Sequence, residues 1–292
     1  MPRALTVTCI VIGAVMASTG CAPLDRAAES PAMTLDRVKA TRTISMGYRA
    51  SSVPFSFVGP DGKPTGYSVE LCARVADDLR RELGLPDLEV KWVPVDVPTR
   101  TPALLNGAID LECGSTTNTL SRQEEVDFSL TTFITGGSLL VLAGGDLEGE
   151  LRNLRIAVIS GTTTEGTLKE MIAKLGPGGI DLIPVKDHVD GLAAVESKTA
   201  DAYASDRAIL IGLVMTSRDP SRFALMNRYF SYEPYALMLR RGDPAFRLAV
   251  NRVLARLYRT GDIEDVYRRW FGRMGVPASL LVAMYAIEGL PE

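Results

Sequence analysis

Short polar side chains crowd together at Ser115, Thr116, Thr117 and Asn118, and Arg122 follows within about one helical turn. Hydroxyls at the carboxyl end of a strand make a hydrogen-bonding lip, the place where open α/β sheets hold ligands. An arginine beside that lip offers a planar fork of donors matched to a carboxylate. The same address recurs elsewhere: Arg49 and Asp206 fall at strand ends, while Arg100, His188 and the run Thr162, Thr163, Thr164 fall at helix starts. Three arginines, with His188 when protonated, oppose one aspartate, so the site is cationic with a single anionic point. The start at Gly161–Thr164 adds free backbone donors and the positive end of a helix dipole. Together these charges match a small molecule bearing two carboxylates and one ammonium. The plainer alternatives are a capped helix at Thr162, a helix cap at Asp206 and solvated arginines.

Elements must bring these residues together. Ile109, Leu111 and Cys113 alternate with polar residues, the period of a half-buried strand, and Gly114 ends it. Ser121 with Glu124 reads as a capping pair for the next helix. Upstream, Thr43–Tyr48 is a strand, and Ser51–Phe57 runs extended to a turn at Pro60–Lys63. Gly66–Ser68 opens a helix with Leu71, Cys72, Val75, Ala76 and Leu79 at helical spacing, stopped by Gly84 and Pro86. Leu88–Val95 is a strand, and Pro98–Arg100 begins a short helix ended by Gly107.

Past the lip, Phe133–Leu142 is an apolar extended run, with Leu139–Leu142 as a first crossing into a second lobe. There β then α repeats: strands at Arg155–Ser160, Asp181–Val185 and Ala202–Ser205. Between and after them lie helices from Thr162, over Gly191–Ser197 and over Ala208–Thr216, the first with a Thr162–Glu165 capping box. The chain crosses back near Tyr232–Leu239 and closes with amphipathic helices over Phe246–Tyr258 and Ile263–Trp270. This pattern predicts an α/β fold of two mostly parallel sheet lobes joined by two hinge crossings. Lobe 1 takes residues 37–140 with 234–292, and lobe 2 takes 141–233. The segment Gly275–Glu292 carries no assignment.

At 292 residues the chain has room for two cores, and a net charge of −3 argues against nucleic acid as the main partner. One histidine and dispersed acids make no metal-ligand set, and no nucleotide fingerprint occurs, so no cofactor is expected. Arg3 followed by the apolar run Ala4–Ala17 reads as a secretory signal over residues 1–20. Gly20-Cys21 resembles a bacterial lipobox, with Cys21 lipidated, although Ser18 stands where such boxes usually carry leucine. Cleavage and release is the alternative. Residues 21–36 then form a tether from the outer face of the membrane in the cell envelope. Cys9 leaves with the signal, so Cys72 and Cys113 remain as one disulfide, or as two buried thiols.

The segment ECGSTTN, followed after a short spacer by Arg122-Gln123, resembles the signature of glutamate/aspartate-binding proteins. These belong to the polar amino-acid class, family 3, of extracellular solute-binding proteins that feed ABC importers. The resemblance runs from about Thr43 to Gly272, through YRASSVPFS, PTRTP, KDH and ASD. It implies a bilobal, type II periplasmic-binding-protein-like fold that is monomeric and passes its ligand to membrane permease subunits. It further implies that Arg122 clamps an α-carboxylate with help from Ser115, Thr117 and the Thr162–Thr164 turn. Asp206 takes the α-ammonium, and Arg49, Arg100 and His188 line the distal carboxylate. Val97-Pro98-Thr99 departs from the family, which places a small polar residue there, so glutamate and aspartate both stay open. A protonated His188 would make affinity fall as pH rises above roughly 7. Two other readings share the fold: a ligand-sensing subunit docking on a receptor, and a dehydratase-like enzyme with Asp206 or His188 as its acid or base.

Overall fold

The computed structural model describes residue 1 and residues 33–144, 153–176, 179–227 and 229–292. The expected signal and the lipidation site Cys21 lie outside the described residues. Helix α1 (Thr34–Thr41) opens the body three residues before the start expected at Arg37. Then come β1 (Thr43–Tyr48), a small meander of β2 (Ser51–Ser52), β3 (Ser56–Val58) and β4 (Pro64–Thr65), and α2 (Tyr67–Glu82). β5 (Glu89–Pro94), α3 (Val97–Leu105), β6 (Leu111–Glu112), α4 (Leu120–Gln123) and β7 (Val126–Thr135) follow. The next group is β8 (Gly137–Leu142), β9 (Arg155–Ile159), α5 (Thr163–Leu175), β10 (Asp181–Val185) and α6 (His188–Glu196). It continues through β11 (Ala202–Asp206), α7 (Arg207–Thr216) and β12 (Phe223–Leu225). β13 (Glu233–Arg240), α8 (Pro244–Thr260), α9 (Asp262–Phe271) and α10 (Ser279–Glu288) end the chain.

Two five-stranded sheets carry the two lobes. The first has the order β5-β1-β6-β13-β7, with β1 parallel to β5 and β6, and β13 antiparallel to β6 and β7. The second has the order β10-β9-β11-β8-β12, with β9 parallel to β10 and β11, and β8 antiparallel to β11 and β12. The chain therefore leaves the first sheet between Thr135 and Gly137, earlier than the crossing expected at Leu139–Leu142. Leu139 and Leu140 already pair with Ala204 and Tyr203 of β11. The apolar run continues unbroken across the change of sheet, so only Gly136-Gly137 marks it.

The return connection lies directly against the outgoing one. Gly137 donates its N–H to Ser231 Oγ at 2.9 Å, and Phe230 donates to the Gly137 carbonyl at 3.0 Å. A Cβ on Gly136 would meet the Ser231 carbonyl at 2.5 Å, and one on Gly137 would meet the Phe230 ring at 2.5 Å. At Gly136 the partner is backbone, and an approach this close requires glycine.

In the first lobe α2 buries Leu71, Cys72, Val75, Ala76 and Leu79, as their spacing predicts. Phe55 packs edge-on against Tyr67, Phe133 and Tyr235. A disulfide joins Cys72 to Cys113 with Cα atoms 6.2 Å apart, tying α2 to the end of β6. Strand β6 is not half-buried as its alternation suggested: Asp110 and Glu112 are buried along with Ile109 and Leu111. It runs between β1 and β13, so both of its faces are covered.

The C-terminal segment forms α10 and packs on β7 where that strand's register against β13 shifts. There the Thr131 N–H donates to Glu288 at 2.5 Å, and the Tyr258 hydroxyl donates to the Thr131 carbonyl at 2.8 Å. The Thr132 carbonyl accepts from Tyr67 at 2.7 Å and from Tyr285 at 3.2 Å. Side chains thus take backbone groups that the ladder leaves over.

Candidate functional site

Between the lobes lies a cavity lined by residues of both. Its walls bring together Arg49, Arg100, Ser115, Thr117, Arg122, Thr162, Thr163, Thr164, His188 and Asp206. The side chains to which the resemblance assigns a binding role therefore all face one space, whereas Thr116 and Asn118 of the lip do not line it.

Each arrives there for a local reason. Arg49 follows β1, and its backbone N–H donates to Ser56 Oγ at 2.9 Å. Arg100 sits in the second turn of α3, whose start Asp96 and Thr99 cap reciprocally at 3.0 and 2.9 Å. Arg122 belongs to the single turn α4, capped by Thr119 at 3.2 Å. Ser121 and Glu124 do not form the expected capping pair, because α4 starts at Leu120 with Thr119 as its cap, which puts Ser121 inside the helix. Thr162 caps α5 by accepting from the Glu165 N–H at 3.2 Å, and Glu165 reaches back to the Gly161 N–H at 2.9 Å. Asp187 caps α6, which starts at His188 rather than at Gly191.

Asp206 stands at the start of α7 yet makes no capping hydrogen bond, so the helix-cap reading fails. Its carboxyl accepts from the Tyr235 hydroxyl instead, and its Oδ1 is buried without a partner. Burial, reinforced by Glu233, pushes Asp206 up to about 7, against the pull of Tyr235, Arg122 and Arg100.

Among the described residues none of the three cavity arginines forms a salt bridge. Arg100 donates to Thr116 Oγ1 at 2.7 Å, and Arg122 donates to the Thr117 carbonyl at 2.7 Å. Desolvation, followed by repulsion from Arg100, lowers Arg49 and Arg122 to about 10 each. Burial lowers Arg100 as well. Guanidiniums stripped of water and facing one another are a receptive site for an anion.

His188 is corrected by the structure. Burial and the neighbouring Arg49 hold its imidazole down at about 3, so it is neutral near pH 7 rather than cationic. Its Nδ1 pairs with the Tyr203 hydroxyl at 2.6 Å, which leaves Nε2 as the ring nitrogen for a further partner. The basis for an affinity that falls above about pH 7 is thereby removed.

Sequence reasoning missed four groups. Glu112 is fully buried behind the arginines, and its Oε2 accepts from Thr116 Oγ1 at 2.8 Å, so Arg100, Thr116 and Glu112 form a relay. Glu233 accepts from Thr117 Oγ1 at 2.6 Å and from Thr163 Oγ1 at 2.7 Å. Tyr203 and Tyr235 orient His188 and Asp206. The charge is therefore not three arginines against one acid, since two more carboxylates stand close behind. Glu112 lies within ECGSTTN and was legible as a polar residue at a strand end. Glu233 had no such signal.

The chain is similar to known binding proteins. The L-glutamate/L-aspartate-binding protein of Pseudomonas aeruginosa is 36% identical over 250 residues, covering 85% of this chain and 82% of that protein. The glutamate/aspartate import solute-binding protein of Salmonella typhimurium is 35% identical over 280 residues, covering 95% of this chain and 91% of that protein. A mutant ArgBP from T. maritima superposes with a TM-score of 0.73 at 25% identity, covering 82% of this chain and all of that one. Residues 44–273 match as a unit: the chain belongs to the bacterial extracellular solute-binding proteins, family 3.

Proposed function

We propose that the chain is the extracytoplasmic substrate-binding component of an ABC importer for acidic amino acids, L-glutamate, L-aspartate or both. One observation carries this reading: three guanidiniums, those of Arg49 and Arg100 buried and that of Arg122 partly buried, share one interlobe cavity with Asp206 and form no salt bridge among the described residues. Arg122 and the start of α5 are assigned to the α-carboxylate, Asp206 to the α-ammonium, and Arg49, Arg100 and neutral His188 to the distal carboxylate. The ligand touches both lobes, favours the shut state, and the permease reads that shape. The moving bodies are taken as residues 37–140 with 234–292 against 141–233. Lipidation at Cys21 supplies the anchor, and the chain acts as a monomer without catalysis, its two candidate acid–base groups being engaged in binding.

Calorimetric titration with L-glutamate, L-aspartate, L-glutamine and L-asparagine tests this. The acids are expected to bind at micromolar concentration or below, with the amides much weaker. Equal binding of the amides overturns the roles of Arg49, Arg100 and His188, and silence with all four overturns the assignment.

A further inference from the structure

We infer that Glu233 is a clasp that joins the hinge to both lobes and sets the direction of the hydroxyl hydrogens in the ligand cavity. Glu233 is the first residue of β13, where the chain has just returned from the second lobe, and it is 1% exposed. Its Oε2 accepts from Thr117 Oγ1 of the first lobe at 2.6 Å and from Thr163 Oγ1 of the second at 2.7 Å. Its Oε1 accepts from Ser231 Oγ at 2.6 Å, and that Ser231 oxygen accepts from the Gly137 N–H of the outgoing crossing at 2.9 Å. One carboxylate therefore gathers hydrogen bonds from both lobes and, through Ser231, from both connections.

The polarity of these bonds matters for the cavity that Thr117 and Thr163 line. A threonine hydroxyl has a single hydrogen to donate. With that hydrogen directed at Glu233, both oxygens present only lone pairs to a ligand. They can accept from an ammonium and cannot donate to a carboxylate. The Thr117 and Thr163 hydroxyls, 3.5 Å apart, thus extend the acceptor end of the site begun by Asp206, and carboxylate recognition falls to the arginines and backbone N–H groups. The clasp can close only when the lobes meet, because its two threonines come from different lobes. Glu233 is a positioning residue: it acts on the ligand through the hydroxyls it holds.

Two readouts test this, and the first needs no ligand. Small-angle scattering of the full chain without amino acid should give a larger radius of gyration for Glu233→Gln than for the parent. Glu233→Asp, which keeps the charge and shortens the reach, should fall between them. The second readout rests on the proposed ligand class: calorimetry with L-glutamate on Thr117→Val, Thr163→Val and the double variant. In the parent the two losses should be strongly non-additive, and in the Glu233→Gln background they should add, with affinity already down at least about tenfold. Unchanged radii for both Glu233 variants, or additive losses in the parent, overturn the clasp. A parent that binds neither acidic amino acid overturns the ligand reading alone, and the scattering comparison then decides the clasp. Should Glu233→Gln fail to fold, Glu233→Asp and the threonine cycle in the parent carry the test.

Discussion

Asp206 is the residue on which the chemistry of the cavity turns. Burial and the charge of Glu233 raise it to about 7, so in the ligand-free protein its carboxyl is near half-ionised at neutral pH. An ammonium arriving beside it requires the ionised form. Binding of an amino acid should therefore strengthen with pH, by roughly tenfold between about pH 6 and pH 8, and level off above. This is opposite in sign to what a protonated His188 would produce, so a calorimetric pH series separates the two. The same shift has a stability consequence. A carboxyl whose folded-state pKa lies above its unfolded value favours folding fully at pH below both, and that advantage declines as pH rises between them and is lost through about 7. Asp206→Asn should raise the melting temperature of the ligand-free protein at about pH 8, by at most about 4 kcal/mol of stability, and leave it little changed near pH 4. It should also abolish the pH dependence of what binding survives. Arg122 supports a simpler expectation: if it clamps the α-carboxylate common to all amino acids, Arg122→Ala should weaken every amino-acid ligand by at least about a hundredfold in calorimetry.

At the scale of elements, the site rests on two supports outside it. The Cys72–Cys113 disulfide closes a separation of 41 residues and fixes the end of β6, from which the lip Ser115–Asn118 departs. Reducing it should lower unfolding stability in urea by about 4 kcal/mol on the chain-entropy account. Helix α10 supports the crossing strand β7 at its irregular residues. Glu288→Ala leaves the Thr131 N–H without its acceptor and should cost about 1–3 kcal/mol, read from the shift in urea midpoint. The strands and helices around the site were largely legible, because their periodicity and capping residues are local signals. Helix α10 was not, since its apolar residues do not form a single stripe: Leu281, Met284 and Tyr285 are buried while Leu280 and Val282 stay exposed. Strand β6 was misread for a related reason, as alternation cannot reveal that Glu112 is covered by neighbours remote in sequence.

For the whole molecule, the two-lobed plan was visible in the repeated β-then-α order. The arginines, threonines, His188 and Asp206 were found because strand ends and helix starts are places the sequence marks. Glu233 was not, because a carboxylate that gathers hydroxyls from residues 117, 163 and 231 is defined only once the chain has crossed twice. The contact between those two crossings has its own consequence. Gly136 and Gly137 lie flush against Phe230 and Ser231, and hydrogen bonds pin the pair. Two separate cords would let one lobe twist as well as tilt relative to the other. Two cords bonded side by side act as a flat strap, which bends readily across its face and resists shear along its length. If the lobes close as proposed, this strap should restrict them to one line of swing, and every closure should return the same side chains to the same partners.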